Sequence, residues 1–432
     1  MSTGTPSDGQ GAPTGPALLL SGAWLPDGRA VDVRISGGRI EALGAAGTLN
    51  APERLDLTGY LLLPAPVEAH AHLDEAFSAT VEPEPPAAGG PPGAGEGTAQ
   101  TLEAVQRRIT EAALSGLGYG SVVQRTHIRV GDAHALLRLE AALQAGRNLR
   151  GLMELQTVAL APPLTGPEGA EGRALLKEAL AMGVHALGGS PDREPEPVDG
   201  LRTLVRLAGE AGRPLDLHTD AADPVRFARL TAALAPLPTP ATVGPCPGLG
   251  LLGPDDLART GERLAAAGVA LACLPQSNRC VGTPAPADGT GRAGPGASGV
   301  PVGRLRAAGV TVAAGSGALR DTANPVGRMD PLEAAFLLAA AGELDVASAY
   351  RAVSAEARTA LGLPPVRLAV GFPADLLAVR GEHLHGVLSG GHSRVVLQSG
   401  RVVSRTSAVR EYAEPTTPAV PRQGRSGPGC PD

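Results

Sequence analysis

LLLPAPVEAHAH, residues 61–72, is an apolar run that ends in two histidines, His70 and His72, at positions i and i+2. In an extended strand alternate side chains share a face, so both imidazoles point the same way at the strand's C-terminal end. Seven further runs follow: SVVQRTHIRV (121–130), LRGLMELQTVAL (149–160), GVHALGGS (183–190), RPLDLHTD (213–220), ATVGPCPG (241–248), VALACLPQSN (269–278) and VTVAAGSGA (310–318). Between them lie amphipathic Ala/Leu/Arg stretches such as TLEAVQRRITEAALSGL (101–117) and GRALLKEALAMG (172–183). Strands that alternate with helices predict parallel βαβ units, and eight such units close a (β/α)8 barrel of the TIM type. Sites in such barrels form at the C-terminal ends of the strands, which is where this histidine pair falls.

Outside the barrel, residues 17–63 read as short strands punctuated by turns, and the pattern returns as ADLLAVRG, RVVLQSG and RVVS after residue 373. The fold class is therefore α/β: a barrel over 63–363 and a small β-sandwich composed of 16–62 with 364–412. Residues 1–15 and 413–432 are rich in Gly and Pro with little apolar side chain, and are expected to be disordered. Two insertions of similar character, 81–100 and 281–299, follow strand ends on the side of the site. They read equally as lids or as tolerated loops.

Composition narrows the function. A chain of 432 residues with 43% hydrophobic and 19% charged side chains is a soluble globular type. A net charge of −6 and 2% aromatics argue against nucleic-acid binding, which favours basic surfaces and stacking rings. No run approaches about 18 apolar residues, so no membrane span is expected. With no secretory signal in view and four cysteines (Cys246, Cys273, Cys280, Cys430) lacking CxxC spacing, free thiols in a reducing cytoplasm are expected. The 59 Gly and 41 Pro, with Lys177 the sole lysine, suggest GC-rich bacterial coding.

Two neutral imidazoles at the spacing of His70 and His72 suit a borderline cation such as Zn²⁺ or Fe²⁺. A second pair, His383 and His385, follows a C-terminal strand far from the barrel series and reads as solvated surface.

LLLPAPVEAHAHLDEAF, LMELQTVAL, HALGGSP, PLDLHTDAADP and VAAGSGALRDTANPVGRMDPLEAA together resemble barrel strands one, three, four, five and eight of cytosine deaminase and its relatives in the amidohydrolase superfamily. GFPADLLAV, near residue 371, resembles their returning sandwich strand, and the likeness spans about residues 17–405. The resemblance implies one divalent metal ion, Zn or Fe, held by His70, His72 and His218. It implies hydrolysis of a C–N bond in a pyrimidine-like cyclic amide or amidine by a metal-activated water. It also places Gln156 where the pyrimidine is hydrogen-bonded and His127 on the pocket wall.

The rest of the family's set is replaced. The proton-moving glutamate falls on Ala221, the strand-6 histidine on Pro245 and the strand-8 aspartate ligand on Gly317. The aspartate beside it falls on Ala318, and a substrate-facing aromatic on Ala323. Asp74, Glu75, Asp220 and Asp321 are the carboxylates near enough in sequence to stand in, although Asp321 reads better as a loop-start hydrogen bond. Cys246 is either a soft ligand or a buried apolar side chain. Lys177 lies inside a helical run, which excludes a binuclear site built on a carboxylated lysine. Glu at 221 and Asp at 317 should be accepted, since both positions lie at strand ends facing the cavity. Two functions therefore stand: a hydrolase with an incomplete catalytic set, or a barrel without turnover that binds or senses a small molecule. A small-molecule partner is expected, and a homo-oligomer is left open.

Overall fold

The computed structural model describes residues 15–79, 101–131, 134–277 and 299–409. The expected disorder at the two ends, and the expected lids at 81–100 and 281–299, fall outside those residues apart from a few positions at their margins.

Among the described residues, sixteen strands run in chain order. The first five are β1 (Leu18–Trp24), β2 (Ala30–Ser36), β3 (Arg39–Ala45), β4 (Glu53–Asp56) and β5 (Tyr60–Pro64). The barrel strands are β6 (Val67–Ala71), β7 (Val123–Arg129), β8 (Glu154–Leu160), β9 (Ala186–Gly189), β10 (Leu215–Thr219), β11 (Ala241–Pro245), β12 (Val269–Cys273) and β13 (Val312–Ala314). Three more close the chain: β14 (Leu376–Arg380), β15 (Arg394–Gln398) and β16 (Arg401–Thr406).

All eight expected barrel runs are strands, and they pair in parallel in the order β6 to β13. The ring closes through a parallel bridge between Ala71 and Gly317, with the Gly317 amide donating to the His70 carbonyl at 3.0 Å. These strands are buried on both faces, which is why they read as continuous apolar runs. Two of the helices between them start on side-chain caps. Thr101 accepts from the Ala104 amide at 3.2 Å, and Asp223 accepts from Val225 and Arg226 at 2.9 and 3.1 Å.

The two chain ends meet as expected. β14 pairs antiparallel with β5 inside one continuous sheet ordered β16-β15-β14-β5-β1-β2-β3, with β4 against β1. Strand alternation lets β5 and β14 serve two cores at once. Leu61, Leu63, Leu377 and Val379 join the barrel core, while Leu62, Leu376 and Ala378 join the sheet's own core. A buried bidentate pair, Arg394 with Asp330 at 2.8 Å on both arms, ties β15 to the cap of the helix Pro331–Ala340. Among the described residues no helix is long and apolar enough to cross a membrane.

Candidate metal centre

Three strands deliver polar side chains to the barrel interior at a period of two residues. From β6 come Glu68, His70 and, one residue past its end, His72; from β7 come Arg125 and His127; from β10 come Asp216 and His218. The four imidazoles stand with ring centroids 4.0 to 5.5 Å apart. The Nε2 atoms of His70 and His218 lie 3.0 Å apart. His72 Nδ1 lies 3.2 Å from the His127 carbonyl oxygen. An oxygen of that kind only accepts, so Nδ1 carries the proton and Nε2 keeps the lone pair that a ligand needs.

Burial lowers the pKa of all three histidines of the trio, and neighbouring positive charge lowers it further. His72 falls to about 3, and His70 and His218 fall well below the ordinary value. Neutral imidazoles are the metal-binding form, and the buried Nδ1 atoms of His70 and His218 have no hydrogen-bond partner. The nitrogen donors of His70, His72 and His218 therefore fit a divalent ion, and they form one of two such groupings among the described residues.

A pH prediction follows from these directions. The folded histidines stay neutral far below 6.5, so the unfolded chain binds more protons in the acid range, and their contribution to stability is lost as pH falls below 6.5. An entering ion displaces no proton from them, so zinc affinity should change less than about threefold between about pH 7.5 and 5.5. Titration of the chelator-stripped chain at both values checks this. Ordinary histidines would lose about tenfold per ligand per pH unit below their pKa.

The other expected residues are distributed unevenly. Gln156 is turned into the barrel. Its Oε1 accepts from Arg125 Nε and Nη2 at 3.2 and 2.8 Å, and its Nε2 donates to Glu154 at 2.8 Å. Both polar ends of the amide are engaged within the chain, so a ligand that reached Gln156 would have to replace one of these bonds. His127 is deeper than a pocket wall, fully buried and stacked on His70 at 4.0 Å. Asp220 is exposed and accepts from the Ala222 amide in a turn. Asp321 accepts from the Ala323 and Asn324 amides, both at 2.9 Å, and so plays the loop role expected of it. Among the described residues, neither aspartate belongs to a grouping that could hold an ion. Cys246 is buried and stands outside both groupings. Lys177 is exposed on the helix Gly169–Met182, and His383 and His385 are exposed as expected.

The positions where the resemblance expected other residues differ from each other. Ala221 is buried at φ 55° after β10, and Pro245 ends β11 behind a cis bond to Gly244. Gly317 has φ 78°, and a Cβ there would lie 3.1 Å from Leu274 Cδ1. The expectation that Asp fits at 317 is corrected, because the left-handed backbone and Leu274 both resist it.

Sequence reasoning missed Arg125, Asp216 and Glu68. Arg125 Nη1 donates to Asp216 Oδ2 at 3.0 Å, and both side chains are buried. Burial would raise the Asp216 pKa, but His127 and Arg125 outweigh it and hold the carboxylate ionised. Burial pushes Glu68 up to about 7; it accepts from the Ser316 amide and hydroxyl and from the His70 amide. The signal was present: EAH, RTH and DLH each place a charged residue two positions before a histidine, on the same strand face.

Comparisons with known proteins bear on the family and the fold. A sequence profile described as "Amidohydrolase family" matches residues 148–385. The chain is 28% identical to pterin deaminase of Rhizobium rhizogenes, over 91% of this chain and 93% of the relative. It is similar in structure to N-isopropylammelide isopropylaminohydrolase of Burkholderia multivorans, with TM-score 0.74, 27% identity, and 90% and 98% of the two chains covered. The 5-methylcytosine deaminase of Klebsiella pneumoniae, liganded with 5-fluorocytosine, superposes with TM-score 0.76 at 22% identity over 92% and 99%, a likeness of fold.

Proposed function

The chain belongs to the amidohydrolase family, and on that premise we propose that it hydrolyses a C–N bond of a cyclic amide or amidine bound at the barrel mouth. One divalent ion, Zn or Fe, would be held in the histidine cluster His70, His72 and His218. The observation that carries this reading is the convergence of three neutral imidazoles at the C-terminal face, with two Nε2 atoms 3.0 Å apart. An ion bound there supplies Lewis-acid polarisation and lowers the pKa of water.

The chain's own residues set the rest. His70 and His218 approach from opposite strands, and the His127 carbonyl fixes the tautomer and plane of His72. Ala221 has no group to move a proton, a role that contributes about 10²–10⁴ in rate. Gly317 offers neither ligand oxygen nor base. Turnover should therefore be slow, with the ion held more loosely than in a site with its own carboxylate at that position.

Ammonia or amine release from cytosine, pterin and N-isopropylammelide, measured with added Zn²⁺ or Fe²⁺, tests this. Slow turnover that chelation abolishes is the expected result. One observation favours a second reading, binding without catalysis: at Gly317 the missing carboxylate is built into the backbone conformation. Metal uptake with no release from any of these compounds would select that reading.

A further inference from the structure

We propose that in this chain the carboxylate ligand is Asp216, and that the ion rests in an inner site formed by His70, His127 and Asp216. This rests on the reading that the chain holds one divalent ion, and it assigns that ion a deeper position than the trio His70, His72 and His218.

Four observations carry it. First, one ligand atom from each of His70, His127 and Asp216 lies within 4.8 Å of the others, and all three residues are buried. Second, His70 Nδ1, His127 Nε2 and Asp216 Oδ1 are buried atoms without a hydrogen-bond partner. Buried polar atoms are seldom left so, and three in one grouping point to a missing occupant. Third, His127 Nε2 is 3.3 Å from Asp216 Oδ1 without hydrogen-bond alignment. His127 Nδ1 faces the Ala71 carbonyl oxygen at 3.3 Å and must donate to it. His127 Nε2 therefore faces a carboxylate oxygen across a gap that no hydrogen bond of the chain fills, and a cation between the two would bridge it. Fourth, the carboxylate is already aimed: Arg125 holds Oδ2 at 3.0 Å and is itself fixed by Gln156, which leaves Oδ1 for the ion.

The outer trio has no anion among its members, whereas the inner set has one. His70 belongs to both, so an ion entering past the partly exposed His72 and His218 needs only a short displacement to reach Asp216. The charge in the pocket is the same in either position; moving inward only shortens the distance from cation to carboxylate, which strengthens their attraction.

The test is Co²⁺ and Zn²⁺ titration of the chelator-stripped full chain, followed by calorimetry and by the visible absorption of Co²⁺. The variants are Asp216→Asn, His127→Gln and His72→Gln, each checked for fold by circular dichroism. Asp216→Asn and His127→Gln are expected to weaken binding by about tenfold or more, and His72→Gln by less than about threefold. Should Asp216→Asn not fold because Arg125 is left unpaired, His127→Gln decides, since it keeps the Arg125–Asp216 pair. Loss of binding in His72→Gln with His127→Gln unaffected would overturn the inner site and leave the proposed function standing. No uptake by the natural chain would overturn both, and a proton or a water would then occupy the gap between His127 and Asp216.

Discussion

Arg125→Met is expected to lower the unfolding free energy by about 3–5 kcal/mol, because it leaves a charged carboxylate buried without its partner. Asp216 is fully buried, and its ionised state depends on Arg125 and His127. The substitution also frees Gln156 Oε1 and the Leu361 carbonyl, which Arg125 now satisfies. Removing both charges together, as Arg125→Met with Asp216→Leu, should recover most of the loss, since an apolar replacement of a whole buried pair is often neutral. Urea unfolding of the three chains checks the pattern. A loss below about 1 kcal/mol for Arg125→Met would mean that Asp216 becomes neutral at little cost.

Ala221→Glu is expected to raise the rate of ammonia release by about 10²-fold or more, by restoring a proton carrier beside His218. Position 221 already carries a Cβ at φ 55°, so the glutamate adds no new left-handed strain. Gly317→Asp should behave differently. Its Cβ must enter the left-handed region at φ 78°, 3.1 Å from Leu274, at a cost of about 1–3 kcal/mol. The gain from Pro245→His should appear only alongside the others, because groups that act as a unit are non-additive. Initial rates with added metal, together with melting temperatures, separate the two carboxylates. An inert Ala221→Glu, or a Gly317→Asp chain as stable as the natural one, would go against this assignment.

The barrel was legible because each strand is an apolar run buried on both faces, bounded by Gly, Pro or polar residues, and followed by an amphipathic helix. The trio was legible for a related reason. HAH fixes two side chains on one face, and LDLHTD places His218 at the end of a strand that the alternation already required. The inner polar column was harder to read. Arg125, Gln156 and Asp216 meet only because the strands are staggered around the ring, and a strand's own sequence gives the facing of a side chain but not its height relative to other strands. Gln156 shows the consequence: it has the residue type and strand expected of a ligand-binding glutamine, and its bond to Arg125 could not be read from either strand alone. Gly317 was opaque for another reason. Glycine is compatible with either sign of φ, so its letter alone could not tell a lost side chain from a remodelled backbone.

The most direct test of the metal centre is the zinc content of the desalted full chain after loading, measured for the natural protein and for His70→Ala. His70 belongs to both groupings that could hold an ion, so the result does not depend on which position the ion takes. About one equivalent in the natural chain and none in the variant is the outcome the geometry predicts. No zinc in the natural chain, or the same zinc content without His70, would contradict the claim that these histidines form a metal centre.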